Sequence, residues 1–95
     1  MDSSLFGWDS ENIGHIAPHN VAPEEAEQVI LGEPLDVGFD VVNGEERWSY
    51  LGETSEGRIL WVAMTLRDKR MRTVTAFEPE KQWKIFYLEE KAGLQ

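Results

Sequence analysis

The chain has 95 residues, a formal net charge of −9, no cysteine, and 41% hydrophobic residues. That length suits one domain with a modest core, residues 1–95, and the composition excludes a disordered acidic tail. Without cysteine there is neither a disulfide nor a thiolate metal site. No signal-like leader and no apolar run near ~18 residues occurs, which predicts a soluble cytoplasmic protein.

The charge is unevenly spread. Residues 1–56 hold 13 acids and one base, Arg47, whereas residues 57–95 hold five acids and eight bases. A solvated acidic surface explains this, and so does a dipolar molecule with a basic binding face on its C-terminal half. The overall acidity opposes strong non-specific binding to nucleic acid.

In chain order, Leu5-Phe6 reads as a short edge strand. Asp9 is placed to cap a short helix, with Trp8 and Ile13 as a hydrophobic staple. Gly14 and Pro18 weaken that helix and end it near Ala17. Pro23, followed by Glu24 and Glu25, opens a second helix whose stripe is Ala26, Val29 and Ile30. Gly32 and Pro34 stop it.

A meander of strands follows. Asp36 to Val42 and Glu45 to Gly52 flank Asn43-Gly44, a strong two-residue hairpin signal. That turn pairs Asp40 with Arg47, Phe39 with Trp48 and Val37 with Tyr50. A loop over residues 53–57 then sets Tyr50 near Leu60 and Trp48 near Val62. Ile59 to Leu66 is almost unbroken apolar sequence, Arg67 to Arg70 is a polar break, and Met71 to Phe77 resumes an extended pattern. The hairpin closed there pairs Met64 with Thr73 and Thr65 with Arg72. Arg58 to Phe77 also holds five of the nine Lys and Arg, so the densest basic stretch lies on the central strands.

Strand side chains alternate, so this register sorts them into two faces. Val37, Phe39, Val41, Trp48, Tyr50, Leu60, Val62, Met64, Leu66, Met71 and Phe77 form an expected core face. Asp40, Arg47, Ser49, Leu51, Ile59, Trp61, Thr65, Arg72, Val74 and Ala76 form a mixed face, suited to a polar ligand or to partial cover by a final helix. That helix is expected from about Pro79 to Lys91, with Trp83, Phe86, Tyr87 and Glu90 on one side.

His15 and His19 have helical metal-ligand spacing, but Pro18 breaks the helix between them and no third ligand is evident. Surface or capping roles suit them better. His19, Arg47, Arg67, Arg70 and Arg72 are groups suited to RNA cleavage: a base for the 2′-hydroxyl proton, an acid for the leaving oxygen, and cations for the phosphoryl charge. Ordinary surface cations paired with Asp40, Asp68 and the acidic helices fit the same composition. Trp61 could stack a base or serve a core. No phosphate loop, nucleophile elbow, paired-carboxylate signature or cofactor motif occurs.

Taken together, the pieces resemble the BrnT family of toxins in the RelE-like ribonuclease superfamily. Phe6-x-Trp8-Asp9, Asn12, His19-x-Val21 and Glu24-Glu25-Ala26 match its opening, F-x-W-D, a central N, K-H-G-V and E-E-A. Glu46-Arg47, Gly52, Gly57-Arg58-Ile59-Leu60 and Thr65-x-Arg67-Asp68 match its middle, and residues 72–76 look like its R-I-I-S-A. Tyr87 and Glu89-Glu90 suit its final helix. Departures stand at Phe77, where the family has Arg, at Pro18 for Lys and at Asn20 for Gly, and the final basic helix here contains Glu78, Pro79, Glu80 and Trp83.

The resemblance implies an α+β, RelE-like fold: two short N-terminal helices, a four-stranded antiparallel meander and a C-terminal helix. It implies a type II toxin with RNA as substrate class, needing no cofactor and no resident metal, and weakened or inactive where cations are missing. It implies Arg67 and Arg72 on phosphate, His19 as acid or base, and Arg47 in support. The implied partner is a ribbon-helix-helix antitoxin encoded next door. A non-catalytic protein-binding module on the same scaffold is the alternative.

Overall fold

The computed structural model describes residues 5–93. Helix α1 (Ser10–Ile16) continues into a 3-10 turn (Ala17–His19), and α2 (Pro23–Leu31) follows. Strands β1 (Leu35–Val42), β2 (Glu45–Glu53), β3 (Ile59–Arg67) and β4 (Arg70–Phe77) form one antiparallel sheet in the order β1-β2-β3-β4, and α3 (Lys81–Ala92) ends the fold. The expected α+β meander is what forms, with the 3-10 turn as an addition.

Local chemistry sets the boundaries. Asp9 caps α1, accepting from the backbone N–H groups of Glu11 and Asn12, while Asn12 reaches back to the Asp9 N–H. Asn43 and Gly44 both have positive φ, as a two-residue twisted hairpin needs. Asp68 and Lys69 do the same at φ 54° and 64°, so Arg67 pairs with Arg70 across a second two-residue turn. Gly93 closes α3 in the left-handed region. That helix begins two residues later than expected, with Glu80 as its cap.

Trp8 and Ile13 do not form the expected staple. Trp8 packs against the core and donates its indole N–H to Glu27 at 2.7 Å, whereas Ile13 is exposed. Phe6 is buried and makes a single parallel bridge to Met71.

The register departs from expectation at three places. Val37 is an extra residue, so Asp36 rather than Val37 faces Tyr50. The β2–β3 pairing is displaced by two residues, with Trp48 opposite Met64 and Tyr50 opposite Val62. An even displacement keeps every side chain on its expected face. The third change does not: Val74 is extra in β4, between Met64–Thr73 and Ala63–Thr75. Beyond this bulge the faces exchange, so Ala76 enters the core and Phe77 turns to the mixed face beside Trp61.

The core joins Ile16, Val21, Ala26 and Val29 from the helical side to Leu60, Val62 and Ala76. α2 comes so close to the sheet that a Cβ at Gly52 would stand 2.8 Å from a Val29 methyl. Leu51, on the opposite face, is fully buried, as is most of Tyr87 on α3. Yet Phe39, Val41 and Leu66, expected in the core, are more than half exposed. The reason is length. Nine residues of helix span about 14 Å at ~1.5 Å each, and nine of strand span about 30 Å at ~3.3 Å each. α2 therefore covers one end of the sheet and leaves the hairpin end bare.

Candidate active site

The mixed face at that hairpin end carries a cleft of about 200 Å³. Arg47 from β2, Thr65 and Arg67 from β3, and Arg72 and the bulged Val74 from β4 line it, together with Glu11, Asn12 and His15 from α1. Arg70 and His19 do not line the cleft, whereas Arg47, Arg67 and Arg72, three of the five residues singled out in the sequence, meet there. They do so because Arg47, Thr65, Arg67 and Arg72 share one side of adjacent strands, with Thr65 directly opposite Arg72.

Each arginine there already has a carboxylate. Arg72 Nη2 donates to Asp9 Oδ2 at 2.9 Å. Arg67 Nη2 and Arg47 Nε donate to the two oxygens of Glu45 at 2.8 and 3.2 Å. The partners are Asp9 and Glu45, not Asp40 or Asp68. The hydrogen bond from Arg67, then that from Arg47, holds the Glu45 carboxyl below its ordinary value, and Glu45 in turn raises Arg67. The Asn12 backbone N–H, then Arg72, holds Asp9 low. Arg72 is the most sheltered cation, its side chain 15% exposed against 52% for Arg67.

His19 is not among the residues that line this cleft. It ends the 3-10 turn, and its ring centroid lies 6.1 Å from that of Phe77. Phe77 stacks on Trp61 at 6.1 Å, Trp61 meets Trp83 edge-on at 5.0 Å, and Trp83 meets Phe86 at 5.7 Å. An aromatic row thus occupies the far end of the mixed face, about 13 Å from the arginines, counting four residues of strand at ~3.3 Å. His15, one helical turn before His19, is the imidazole that lines the cleft. Its spacing made it visible in the sequence only as half of a metal pair. Among the described residues, no three His, Cys, Asp or Glu side chains gather as a metal site.

The family model for BrnT, the ribonuclease toxin of type II toxin-antitoxin systems, matches residues 8–82. The chain belongs to the BrnT family. It is thereby a type II ribonuclease toxin component, for which an antitoxin is the partner. No curated protein matches the chain.

Several residues of the BrnT pattern prove to be scaffold. Asn12 is 4% exposed and donates to the Gly7 carbonyl at 2.8 Å, while the Gly7 N–H donates to Met71. This ties the cap of α1, and with it Asp9, to β4. Arg58 Nη1 donates to the Glu25 carboxylate at 2.8 Å and to the Asn20 carbonyl at 2.9 Å, locking the turn after His19 to α2. Burial pushes Glu25 up, but the Ala22 N–H and Arg58 outweigh it and hold the carboxyl low. Asn20, where the BrnT pattern has Gly, sits at φ 60° and ψ 40°. Asparagine is among the few other residues that tolerate this left-handed geometry, so the turn survives the change.

Proposed function

We propose that the arginine cleft is where this toxin component holds RNA, with Arg72 and Arg67 on a backbone phosphate, Arg47 in support and His19 as acid or base at a phosphate farther along the same strand, and that its cleavage is slow. What carries this reading is the convergence of Arg47, Arg67 and Arg72 on one cleft of one sheet face. Cleavage of this kind moves the 2′-hydroxyl proton to a base, joins the 2′-oxygen to phosphorus, breaks the bond to the 5′-oxygen and returns a proton to it. Phosphoryl charge grows on the way, and a guanidinium positioned at the reacting phosphate stabilises it.

Two features slow the reaction. Phe77 occupies the position at which the family pattern has arginine, and it lies against His19, so the imidazole has a ring for a neighbour rather than a cation. Asp9 and Glu45 also compete with phosphate for the arginines. An RNA reaching His19 from the cleft must cross about 13 Å of sheet, where Trp61 offers a stacking surface. The self-pairing of the arginines is also what favours the second reading, a non-catalytic protein-binding module.

The antitoxin in this proposal is a ribbon-helix-helix protein encoded alongside, and both act in the cytoplasm. Among the described residues no helix is long and apolar enough to cross a membrane. The deciding experiment measures binding and cleavage of a labelled single-stranded RNA. Slow cleavage is expected, with affinity reduced about tenfold or more in Arg72→Ala, as for a charged hydrogen bond. Affinity unchanged in both Arg72→Ala and Arg67→Ala overturns the site, and rapid cleavage overturns the claim of weak activity.

A further inference from the structure

The opposite face of the same sheet end is apolar and bare. Phe39, Val41 and Leu66 are 56%, 53% and 57% exposed. Phe39 packs against Trp48 with ring centroids 5.7 Å apart. Beside them a groove of about 350 Å³ runs between Ile30 of α2 with Pro34 just after it and the strands, at Trp48, Tyr50, Leu66 and Met71. Contiguous apolar surface of this kind on a small protein marks a place where another molecule docks.

Charge selects the occupant. Val41 pairs with Glu46 and Tyr50 with Asp36, so both carboxylates stand on the apolar face, and both residues are exposed. Glu33, also exposed, follows α2, though Lys91 stands beside it and donates to its carbonyl at 2.8 Å, so it adds little to the charge of this rim. Among the described residues, no lysine or arginine lines the groove. The whole chain carries −9. A second copy would bring the same carboxylates against themselves, and a nucleic acid would meet charge of its own sign. A protein segment with large apolar side chains flanked by Lys or Arg meets both the groove and its rim.

We propose that this face docks an apolar, positively flanked segment of the antitoxin, on the side of the sheet opposite the arginine cleft. The inference rests on the type II toxin reading, which supplies the partner. Phe39 and Leu66 anchor the segment, and Asp36 and Glu46 hold its cations.

Calorimetric titration of the full chain with the antitoxin encoded beside it tests this. Phe39→Asp and Leu66→Asp should each weaken binding at least fiftyfold, and Glu46→Lys at least fivefold, while Arg72→Ala leaves it unchanged. Both apolar positions are exposed, so the folds should survive, and circular dichroism checks that. If either aspartate variant does not fold, Glu46→Lys with Asp36→Lys asks the same question on surface charge. Affinities within twofold of the parent in these variants overturn the docking face alone and leave the toxin reading standing. No binding by the unmodified chain overturns both. A dimer of the chain alone, seen by sedimentation and dissolved by Leu66→Asp, overturns the antitoxin in favour of a second copy.

Discussion

Arg72 holds Asp9 at 2.9 Å across 63 residues of chain. The same carboxylate caps α1 with its other oxygen. One side chain therefore starts a helix and neutralises the most sheltered arginine of the cleft. Asn caps as well as Asp but carries no charge. Asp9→Asn should keep the melting temperature close to the parent's while tightening RNA binding roughly threefold to fivefold, the scale of an exposed ion pair. Asp9→Ala should free the arginine too, but lower the melting temperature. Thermal melts beside filter-binding isotherms separate the two roles.

Glu45 serves two arginines, so its neutralisation should matter more. Glu45→Gln should raise RNA affinity further than Asp9→Asn, with a steeper fall on adding salt because more phosphate contacts release counterions. An affinity unchanged at low salt would mean that Arg47 and Arg67 do not meet the backbone.

Acid should cost the protein some of its stability. Asp9, Glu25, Glu45 and Glu78 all sit below their ordinary values of 3.8 for Asp and 4.5 for Glu. A depressed carboxyl stabilises the fold fully above its unfolded value and ceases to do so as pH falls through its folded one. Melting temperature should thus be level above pH about 5 and drop steadily below 4.5. Glu25→Gln should flatten part of that drop and lower the plateau.

Core and bare face should respond differently to truncation. Leu60 and Val62 are fully buried, and Leu60→Ala or Val62→Ala should cost about 2–4 kcal/mol in denaturant unfolding. Leu66→Ala, on a side chain more than half exposed, should cost under about 0.5 kcal/mol.

Phe77→Arg restores the residue of the family pattern beside His19. RNA cleavage should rise by about 10²-fold, the usual worth of one positioned donor to a developing oxyanion. The variant loses the stack on Trp61 and should be slightly less stable. A stable variant with unchanged cleavage would remove His19 from the proposed chemistry.

The hairpin at Asn43-Gly44 was legible because that dipeptide accepts positive φ at both positions. Asp68-Lys69 adopts the same geometry with no glycine to signal it, so the four residues read only as a polar break, yet the pairing expected across it, Met64 with Thr73 and Thr65 with Arg72, is the one that forms. The buried middle of β3 was legible from its apolar run. The bulges at Val37 and Val74 were not, since valine is an ordinary strand residue and nothing in its side chain marks an extra position. Missing Val74 placed Ala76 and Phe77 on each other's faces. The site was legible in its cations, which alternate along strands, but not in its counterions. Asp9 depends on α1 lying along β4, which no local pattern encodes, whereas Glu45 stands two residues before Arg47 on the same face of β2.

The strand order has a consequence for how the molecule comes into being. Every strand pairs with its neighbour in sequence, so the sheet can grow one hairpin at a time from contacts close along the chain, the arrangement that folds fast. The cleft is different, because it takes Asp9 and His15 from the beginning and Arg72 from the last strand. A ribosome must deliver β4 before these groups can meet. The emerging chain therefore has no assembled arginine cleft until β4 is made, whereas Phe39 and Trp48 come together on the first hairpin well before that.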